Sequence, residues 1–248
     1  MVRVEISDAA SETGALLVEM LTRKGVYDDR SNATVCYGVR AYSVKARTHM
    51  LNGNCMSNKV KRMVAMADAG VRLVPWFKGE DIPEDFSFPA LARRMTGHGG
   101  TDIVPVFEPK EVPWRIRSGW DWFSSYIPTK TEYRVWVYRG ECLDVYEKVM
   151  NRPDSYKYIG RNFRNGFDFE PCVKPKDAVS QGVQAIHALG LDFGAVDMLR
   201  GEDGKIYVLE VNTAPGVIKS GAQKTLAKLT DRIVEWDTNG YTSWDCCR

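Results

Sequence analysis

FGAVDMLRGEDGKIYVLEVNTAPG, residues Phe193–Gly216, has the pattern of two strands joined by a tight turn. Residues 194–200 are mostly apolar, Gly-Glu-Asp-Gly at 201–204 supplies turn chemistry, and an apolar strand resumes at Ile206. Pro215 and Gly216 then break the second strand and let the backbone turn away. The stretch therefore predicts a β-hairpin.

Three oxygen-bearing side chains of this hairpin suit a metal ion. Asp197 lies inside the first strand, where a buried carboxylate is costly unless it is paired or bound to metal. Glu210 and Asn212 are two residues apart, so on an extended chain both point to the same side, which Asp197 approaches if the strands pair. Two carboxylates and one amide are hard oxygen ligands that suit magnesium and its phosphate partners. The alternative is a surface hairpin whose acidic residues face water, and the order Asp, Glu-Val-Asn, Pro-Gly favours the metal site.

Length and composition bound the class of protein. The chain has 248 residues, of which 44% are hydrophobic and 27% charged, typical of a soluble protein with one large domain or two small lobes. The net charge of +2 gives no whole-molecule case for nucleic-acid binding, and no apolar run reaches the ~18 residues that span a membrane. The N-terminal sequence MVRVEISDAASE lacks a signal-peptide core, so we expect a cytoplasmic protein.

The cysteines and histidines predict no zinc site. No two cysteines have Cys-x-x-Cys spacing, the adjacent Cys246 and Cys247 cannot form an ordinary structural disulfide, and the three histidines are scattered. In a reducing compartment we expect the six cysteines to be free thiols.

The run GLDFGAVDMLRGEDGKIYVLEVNTAPG, residues 190–216, resembles the C-terminal lobe of ATP-grasp carboxylate–amine ligases. It is most similar to the branch that adds glutamate to a ribosomal protein, and more distantly similar to D-alanine–D-alanine ligase. The resemblance implies that magnesium ions, expected to be two, bridge the ATP phosphates and are held by Asp197, Glu210 and Asn212. Over residues 57–236 it implies an α+β ATP-grasp fold whose two lobes close over ATP.

We expect three parts in this chain. Residues 1–56 form a short N-terminal α/β segment, with a helix around Ala15–Leu21 that ends at a glycine and a short strand over 34–39. Residues 57–119 form the smaller ATP-grasp lobe with a glycine loop, and residues 120–248 form the larger lobe with the metal site. Family members usually carry a larger N-terminal domain that helps to bind substrate.

The smaller lobe begins with a predicted helix that Ser57 caps and Gly70 closes, followed by a strand over 71–74 that Pro75 ends. This run resembles the helix and strand that open the family's smaller lobe. The resemblance places Lys59 at a familiar lysine position and assigns it to nucleotide binding. The alternative is a solvated charge on the helix surface.

A glycine-rich loop, Thr96–Thr101, lies between predicted strands at 88–93 and 102–107. Glycines allow close backbone approach, and successive amide N–H groups form a nest for anions, although such a loop is often only a turn. By resemblance its glycines cover the ATP phosphates: Gly97, Gly99 and Gly100. The strand before it carries Arg93 where the family usually has a phosphate-binding lysine. Arginine can bind phosphate bidentately but is not equivalent to lysine.

Residues 110–119 are polar and rich in turn formers, and residues 120–127 predict a strand. In the family, the end of the matching strand is the hinge between the lobes, and its backbone N–H and C=O groups hold adenine. The resemblance places Ser125 in this hinge and assigns adenine binding to Tyr126 and Ile127.

Residues 132–149 predict a second hairpin, turned at Arg139-Gly140, in which valines alternate with Arg134, Trp136 and Tyr138. Its start, EYRV, resembles the family strand whose arginine faces the phosphates and the developing acyl phosphate, which implies a catalytic role for Arg134. Lys148 matches a basic, ATP-binding position. The alternative is that the stems of Arg134 and Lys148 only pack on Trp136 and Tyr146.

The loop Tyr158–Gly166 resembles the F-R-x-N segment that approaches the active site in the glutamate-adding branch. The spacing here is F-R-N-G, so the resemblance implies a catalytic role for Arg164, with Asn165 as the neighbouring candidate. Two further helices are predicted from apolar stripes, at 175–189 and 220–236.

The resemblance implies an ATP-dependent ligase that joins a carboxylate to an amine through an acyl phosphate. Such chemistry rests on positioning and charge stabilisation and needs no protein nucleophile. The expected partners are a small-molecule carboxylate and amine, or a peptide or protein end, with no nucleic acid and no membrane. Two alternatives stay open. One is an ATP-binding module without turnover that serves a partner protein, favoured by Arg93 and the short N-terminal segment. The other is a phosphotransferase that stops at phosphorylation.

Overall fold

The computed structural model describes residues 1–7, 11–39, 49–53, 58–94, 103–153, 160–161, 165–217 and 222–241. The helices of these residues are α1 (Glu12–Arg23), α2 (Lys59–Asp68), α3 (Val112–Arg117), α4 (Lys176–Ala188) and α5 (Gln223–Thr238). The strands are β1 (Arg3–Ile6), β2 (Ala33–Tyr37), β3 (His49–Leu51), β4 (Trp76–Lys78), β5 (Ala90–Arg93), β6 (Ile103–Val106), β7 (Trp122–Ser125), β8 (Thr129–Tyr138), β9 (Glu141–Met150), β10 (Phe167–Pro171), β11 (Phe193–Gly201) and β12 (Ile206–Asn212).

The largest sheet is antiparallel and has the strand order β10-β9-β8-β11-β12. The predicted hairpin is confirmed as β11–β12, and its register sets Asp197 opposite Glu210. The second predicted hairpin is confirmed as β8–β9. Its turn residues Arg139 and Gly140 both have positive φ, 43° and 79°, as a two-residue turn between twisted strands requires. The sheet therefore has a register that two tight turns help to fix.

Both faces of this sheet are covered, so successive side chains of one strand enter two different apolar clusters. On one face Val135, Val137 and Val196 pack in a cluster that includes α4. On the other face Trp136 and Phe193 pack against α5 and the N-terminal segment. The helices predicted at 175–189 and 220–236 are confirmed as α4 and α5.

A second antiparallel sheet has the strand order β4-β7-β5-β6 and its own small apolar cluster around Phe77 and Phe123. The predicted strands at 88–93 and 102–107 are confirmed as the shorter β5 and β6. Strand β7 follows the expected lobe boundary at residue 120, yet it hydrogen-bonds to β4 and β5 in this sheet.

The N-terminal segment forms a parallel sheet, β1-β2-β3, with helix α1, in keeping with the predicted short α/β segment. Its apolar side chains Leu17 and Leu21 share one cluster with Leu229 and Ile233 of α5. The buried hydroxyl of Tyr37 donates a hydrogen bond of 2.6 Å to the carbonyl of Pro215, so the segment also contacts the loop after β12.

Two features of the smaller lobe differ from the prediction. Helix α2 begins at Lys59, and its N-cap is Asn58, whose side chain accepts the N–H of Lys61 at 3.0 Å. Ser57, the predicted cap, lies outside the described residues. The predicted strand at 71–74 is wrong, because only one parallel bridge joins Leu73 to Val208. The adjacent N–H of Arg72 donates instead to the side chain of Gln181.

The polar stretch at 110–119 is a helix rather than a turn. A 3₁₀ turn at Pro109–Glu111 leads into α3, and the Glu111 carboxylate accepts the N–H groups of Phe107 and Glu108 at 2.8 and 3.0 Å. This capping explains why so polar a stretch is helical. None of the described helices combines the length and apolar composition that a membrane span requires.

Gly194 in β11 lies where the surrounding atoms leave little room for a side chain. A Cβ at this residue would lie 2.8 Å from Cδ1 of Ile186 and 3.0 Å from the carbonyl oxygen of Asn212, so Gly194→Ala must shift the Ile186 side chain and crowd the β12 backbone. We expect Gly194→Ala to lower the free energy of unfolding by about 1–3 kcal/mol in urea titrations. Gly216→Ala is the matched control, because a Cβ there meets nothing within 4 Å. Equal stability of the two variants would contradict the expectation.

Candidate functional site

A cavity of about 490 Å³ lies between the two antiparallel sheets, lined by α2, β5, β6 and β7 on one side and by β8, β9, β11 and β12 on the other. It brings together the predicted site residues that the structure describes: Lys59, Arg93, Tyr126, Ile127, Arg134, Lys148, Asp197, Glu210 and Asn212. The predicted Gly97, Gly99, Gly100 and Arg164 lie outside the described residues. Asn165 is described, and its amide donates to the carbonyl of Gly160 in its own loop at 2.5 Å.

Asn212 lies within hydrogen-bonding distance of each of the other two predicted metal ligands. The Asn212 amide nitrogen is 3.0 Å from Asp197 Oδ2 and 3.4 Å from Glu210 Oε1. Rotation of that amide by 180° would turn its oxygen toward the two carboxylates. Within the described ranges no group of three His, Cys, Asp or Glu side chains is arranged to hold a metal, so a metal site here would need the amide oxygen of Asn212 as well. This set of hard oxygen donors fits magnesium.

Asp197 is also the centre of a buried charge network. Arg134, its register partner on β8, donates to both carboxylate oxygens of Asp197 through Nε and Nη2, each at 2.8 Å. Lys148 Nζ lies between two carboxylates, 3.5 Å from Asp197 and 3.2 Å from Glu132. Arg161 Nε lies 3.4 Å from the other oxygen of Glu132. Three cations and two buried carboxylates therefore form one connected group.

Burial and the neighbouring charges shift the pKa values of these residues in opposite directions. Burial would raise the pKa of Asp197, but the charges of Arg134 and Lys148 outweigh it and lower that pKa to about 2. For Glu132 burial prevails, and Lys148 and Arg161 offset only part of it, so its pKa is raised. Burial would lower the pKa of Arg134, but the Asp197 carboxylate reverses the shift and raises it. Asp197 is therefore ionised at neutral pH.

Phe169 supports two of the cations from β10. Cζ of Arg134 lies 4.6 Å from the centre of the Phe169 ring, and Nζ of Lys148 lies 5.8 Å from it. The strand pattern had suggested Trp136 and Tyr146 as packing partners, and it contains no signal for Phe169. The roles of Arg134 and Lys148 toward phosphate stay predictions.

The predicted hinge lines the cavity, but part of its backbone is already hydrogen-bonded. The N–H groups of Ser125 and Tyr126 donate to the carbonyls of Pro75 and Pro89, at 2.9 and 2.8 Å. Among the described hinge residues, the N–H of Ile127 is therefore the remaining donor for a base. Apolar side chains also line the cavity: Met63, Met66, Val74, Leu91 and Leu209.

Two charged residues of the site were not assigned a role from sequence. Glu132 is 6% exposed, and the β8–β9 register extends to place it opposite Lys148. The strand alternation carried this signal, because Glu132 shares a face with Arg134. Arg161 lies in a loop without periodicity, so its ion pair with Glu132 had no comparable sequence signal.

The sequence of this chain is similar to a known domain family and to several curated proteins. A family model described as an "ATP-grasp domain" matches residues 107–216. The D-alanine–D-alanine ligase of Clostridium beijerinckii is 25% identical over 185 residues, covering 67% of this chain and 60% of that relative. The tetrahydromethanopterin:alpha-L-glutamate ligase of Methanocaldococcus jannaschii is 26% identical over 157 residues, covering 59% and 54%. The chain thus spans less than two thirds of the length of these curated relatives.

Solved structures share the fold at low identity. The ATP-grasp ligase PsnB, complexed with a minimal precursor, matches with a TM-score of 0.69 and 14% identity, covering 94% of this chain and 98% of that chain. The D-alanine–D-alanine ligase from Bacillus anthracis, complexed with ATP, matches with a TM-score of 0.64 and 16% identity, covering 96% and 97%. The predicted α+β fold and the resemblance to ATP-grasp ligases are thereby confirmed, while the closer likeness to the ribosomal-protein branch stays a prediction.

The buried ion pair of Arg134 and Asp197 predicts a pH-dependent loss of stability in Arg134→Met. Removing the guanidinium leaves a buried carboxylate with Lys148 as its neighbouring cation, which costs about 3 kcal/mol at pH 7. Because the pKa of Asp197 is depressed to about 2 from about 3.9 in the unfolded chain, its stabilising effect is present above about pH 4 and disappears as the pH falls toward 2. We expect the stability difference between wild type and variant to shrink from pH 7 to pH 3, in urea titrations with EDTA.

Arg200→Met is the control for this experiment. Arg200 forms a comparable two-bond pair with Asp177, at 2.8 and 2.9 Å, but the Asp177 side chain is 51% exposed. An exposed pair contributes at most about 1 kcal/mol. If Arg134→Met cost no more than Arg200→Met at pH 7, or if its cost were the same at pH 3, the electrostatic account would be wrong.

Proposed function

This chain has the ATP-grasp fold, and on that premise we propose that it is an ATP-dependent ligase that joins a carboxylate to an amine. The observation that carries the proposal is the cavity between the sheets, where Asp197, Glu210 and Asn212 lie beside the cations Arg134 and Lys148. A triphosphate suits a site that combines oxygen ligands for a divalent cation with an arginine and a lysine. Its negative oxygens would meet the metal ion and the two basic side chains. A cytoplasmic location, where ATP is abundant, fits this proposal.

The metal ligands and the apolar lining have distinct proposed parts. Asp197, Glu210 and Asn212 would hold magnesium, and the apolar lining beside Ile127 would take the base. Bound MgATP would supply the phosphoryl group that converts the substrate carboxylate into an acyl phosphate. The chain itself would contribute positioning and charge neutralisation, and no protein nucleophile is needed.

Arg134 and Lys148 would stabilise the charge that develops on the reacting oxygens. Both lie over the ring of Phe169 and against the same carboxylate, so their positions are set before substrate binds. Attack of the amine on the acyl carbonyl would then release phosphate and form the amide bond, with loss of one proton from the amine. Arg164, from the sequence resemblance, remains the candidate that steadies the acyl phosphate.

The acceptor that we propose is the end of a peptide or protein. Support comes from the structural likeness to PsnB, a ligase solved with a precursor peptide. The D-alanine–D-alanine ligases among the relatives supply the small-molecule alternative, in which both substrates are amino acids. An acceptor screen with amino acids and peptides in separate pools distinguishes the two.

The second candidate function is nucleotide binding without turnover, in the service of a partner protein. Arg93 stands where the resembling family usually carries a lysine, and two of the three hinge N–H groups are already hydrogen-bonded. Either feature can weaken nucleotide positioning, so this alternative has a structural basis. A phosphotransferase that stops at a phosphorylated hydroxyl is the third possibility, and the experiment below separates all three.

We expect Glu210→Gln to abolish ligase chemistry. The measurement is ADP formation from ATP and magnesium, with pooled amino acids and peptides and with hydroxylamine as a trap. Wild type should form ADP together with a hydroxamate, since hydroxylamine captures an acyl phosphate but not a phosphorylated hydroxyl. Glu210→Gln removes one of two carboxylates from the metal site and should lower the rate about a hundredfold or more.

Glu202→Gln is the matched control, because Glu202 is an exposed carboxylate in the turn of the same hairpin. This variant should keep the wild-type rate. ADP without hydroxamate would favour the phosphotransferase, and ATP binding without ADP formation would favour the binding module. Wild-type turnover in Glu210→Gln would overturn the proposed site.

A further inference from the structure

Arg93 differs from the other cations that line the cavity. Arg134, Lys148 and Arg161 each form an ion pair with a carboxylate. The guanidinium of Arg93 makes one hydrogen bond within the described part of the chain, from Nε to Ser124 Oγ at 3.1 Å. Its two terminal nitrogens have no hydrogen-bond or ion-pair partner there.

Arg93 is a partly buried charge that lacks a counter-ion among the described residues. Burial lowers the pKa of Arg93, and the more distant carboxylates of Glu210 and Glu132 offset only part of that effect. A buried cation without a partner is costly, so an anion that entered the cavity beside Arg93 would gain from pairing with it. Arg93 lines the same cavity as the proposed magnesium ligands.

Two neighbours on β7 fix the orientation of this guanidinium. Trp122 is the register partner of Arg93, and Cζ of Arg93 lies 5.1 Å from the centre of a Trp122 ring. Ser124 lies two residues further along the same face and accepts from Nε. Ser124 is 3% exposed and Trp122 is 7% exposed, so both are held by the surrounding core.

This arrangement leaves the terminal edge of the guanidinium for a ligand. The two terminal nitrogens form a planar fork that matches two oxygens of a phosphate. Lysine could not reproduce this, because it has neither an Nε–H for the serine hydroxyl nor a plane to stack on the indole. The contacts of Ser124 and Trp122 therefore depend on an arginine at residue 93.

We propose that Ser124 and Trp122 are positioning residues that hold Arg93 as a bidentate receptor for the phosphates of the nucleotide. The proposal rests on the proposed function for the identity of the ligand as an adenine nucleotide. It adds that this chain requires arginine at residue 93, and that the Ser124 hydroxyl sets affinity for the phosphates without affecting the base.

Calorimetric titration with three probes tests the proposal: adenylyl imidodiphosphate with magnesium, adenosine, and inorganic tripolyphosphate. We expect Ser124→Ala and Arg93→Lys each to weaken binding of adenylyl imidodiphosphate and tripolyphosphate about tenfold or more. Adenosine should bind equally to all variants. Ser124→Thr keeps the hydroxyl and should restore wild-type affinity. Ser118→Ala is the control. The Ser118 hydroxyl also makes one hydrogen bond, to the carbonyl of Trp114 at 3.0 Å, but it is exposed at the C-terminal end of α3.

Several outcomes would overturn the proposal: wild-type affinity for the phosphate probes in Ser124→Ala or Arg93→Lys, a parallel loss of adenosine binding, or no binding of any phosphate probe by wild type. A purely structural role for Ser124 would lower thermal stability and all affinities together. The two proposals can fail separately. Phosphate binding that depends on Ser124 without turnover would sink the ligase function alone, whereas hydroxamate formation with an unchanged KM for ATP in Ser124→Ala would sink this inference alone.

Discussion

The ion pair between Arg134 and Asp197 is the interaction on which the centre of this molecule depends. It joins two neighbouring strands of the five-stranded sheet with two hydrogen bonds of 2.8 Å, at a place where the carboxylate is 4% exposed. An ionised carboxylate is tolerated there only because Arg134 and Lys148 surround it. The same negative charge is what the proposed magnesium site requires of Asp197, so a single electrostatic arrangement would support both the packing and the proposed chemistry.

The alternation of the sheet makes this arrangement possible. Valines on one face of β8 pack against the α4 cluster, and Trp136 and Tyr138 on the other face pack against the α5 cluster. A slip of one residue in the register of β8 would exchange these faces and carry Arg134 away from Asp197. The alternation of apolar side chains thus fixes the strand register, and the register sets Arg134 opposite Asp197.

Much of this could be predicted from the sequence, because both hairpins combine period-2 alternation with strong turn residues. The proximity of Asp197, Glu210 and Asn212 followed from that pattern and was found. Features decided by tertiary contact were not predictable. The stretch 71–74 alternates like a strand but gives its backbone groups to Gln181 and to the edge of β12. Likewise, the ion pair of Glu132 with Arg161 joins a strand to a loop without any periodic signal.

The contact of the N-terminal segment with the loop after β12 has a consequence for biosynthesis. Thr13 accepts the N–H of Val217, Tyr37 donates to Pro215, and Leu17 and Leu21 are buried with residues of α5. Residues translated earlier in the chain therefore complete their packing only after residues translated later have emerged. Contacts of such long sequence separation slow folding and leave apolar surface exposed in the meantime. During translation, the apolar side chains of the β1-β2-β3 segment that pack on α5 stay uncovered until that helix has been made.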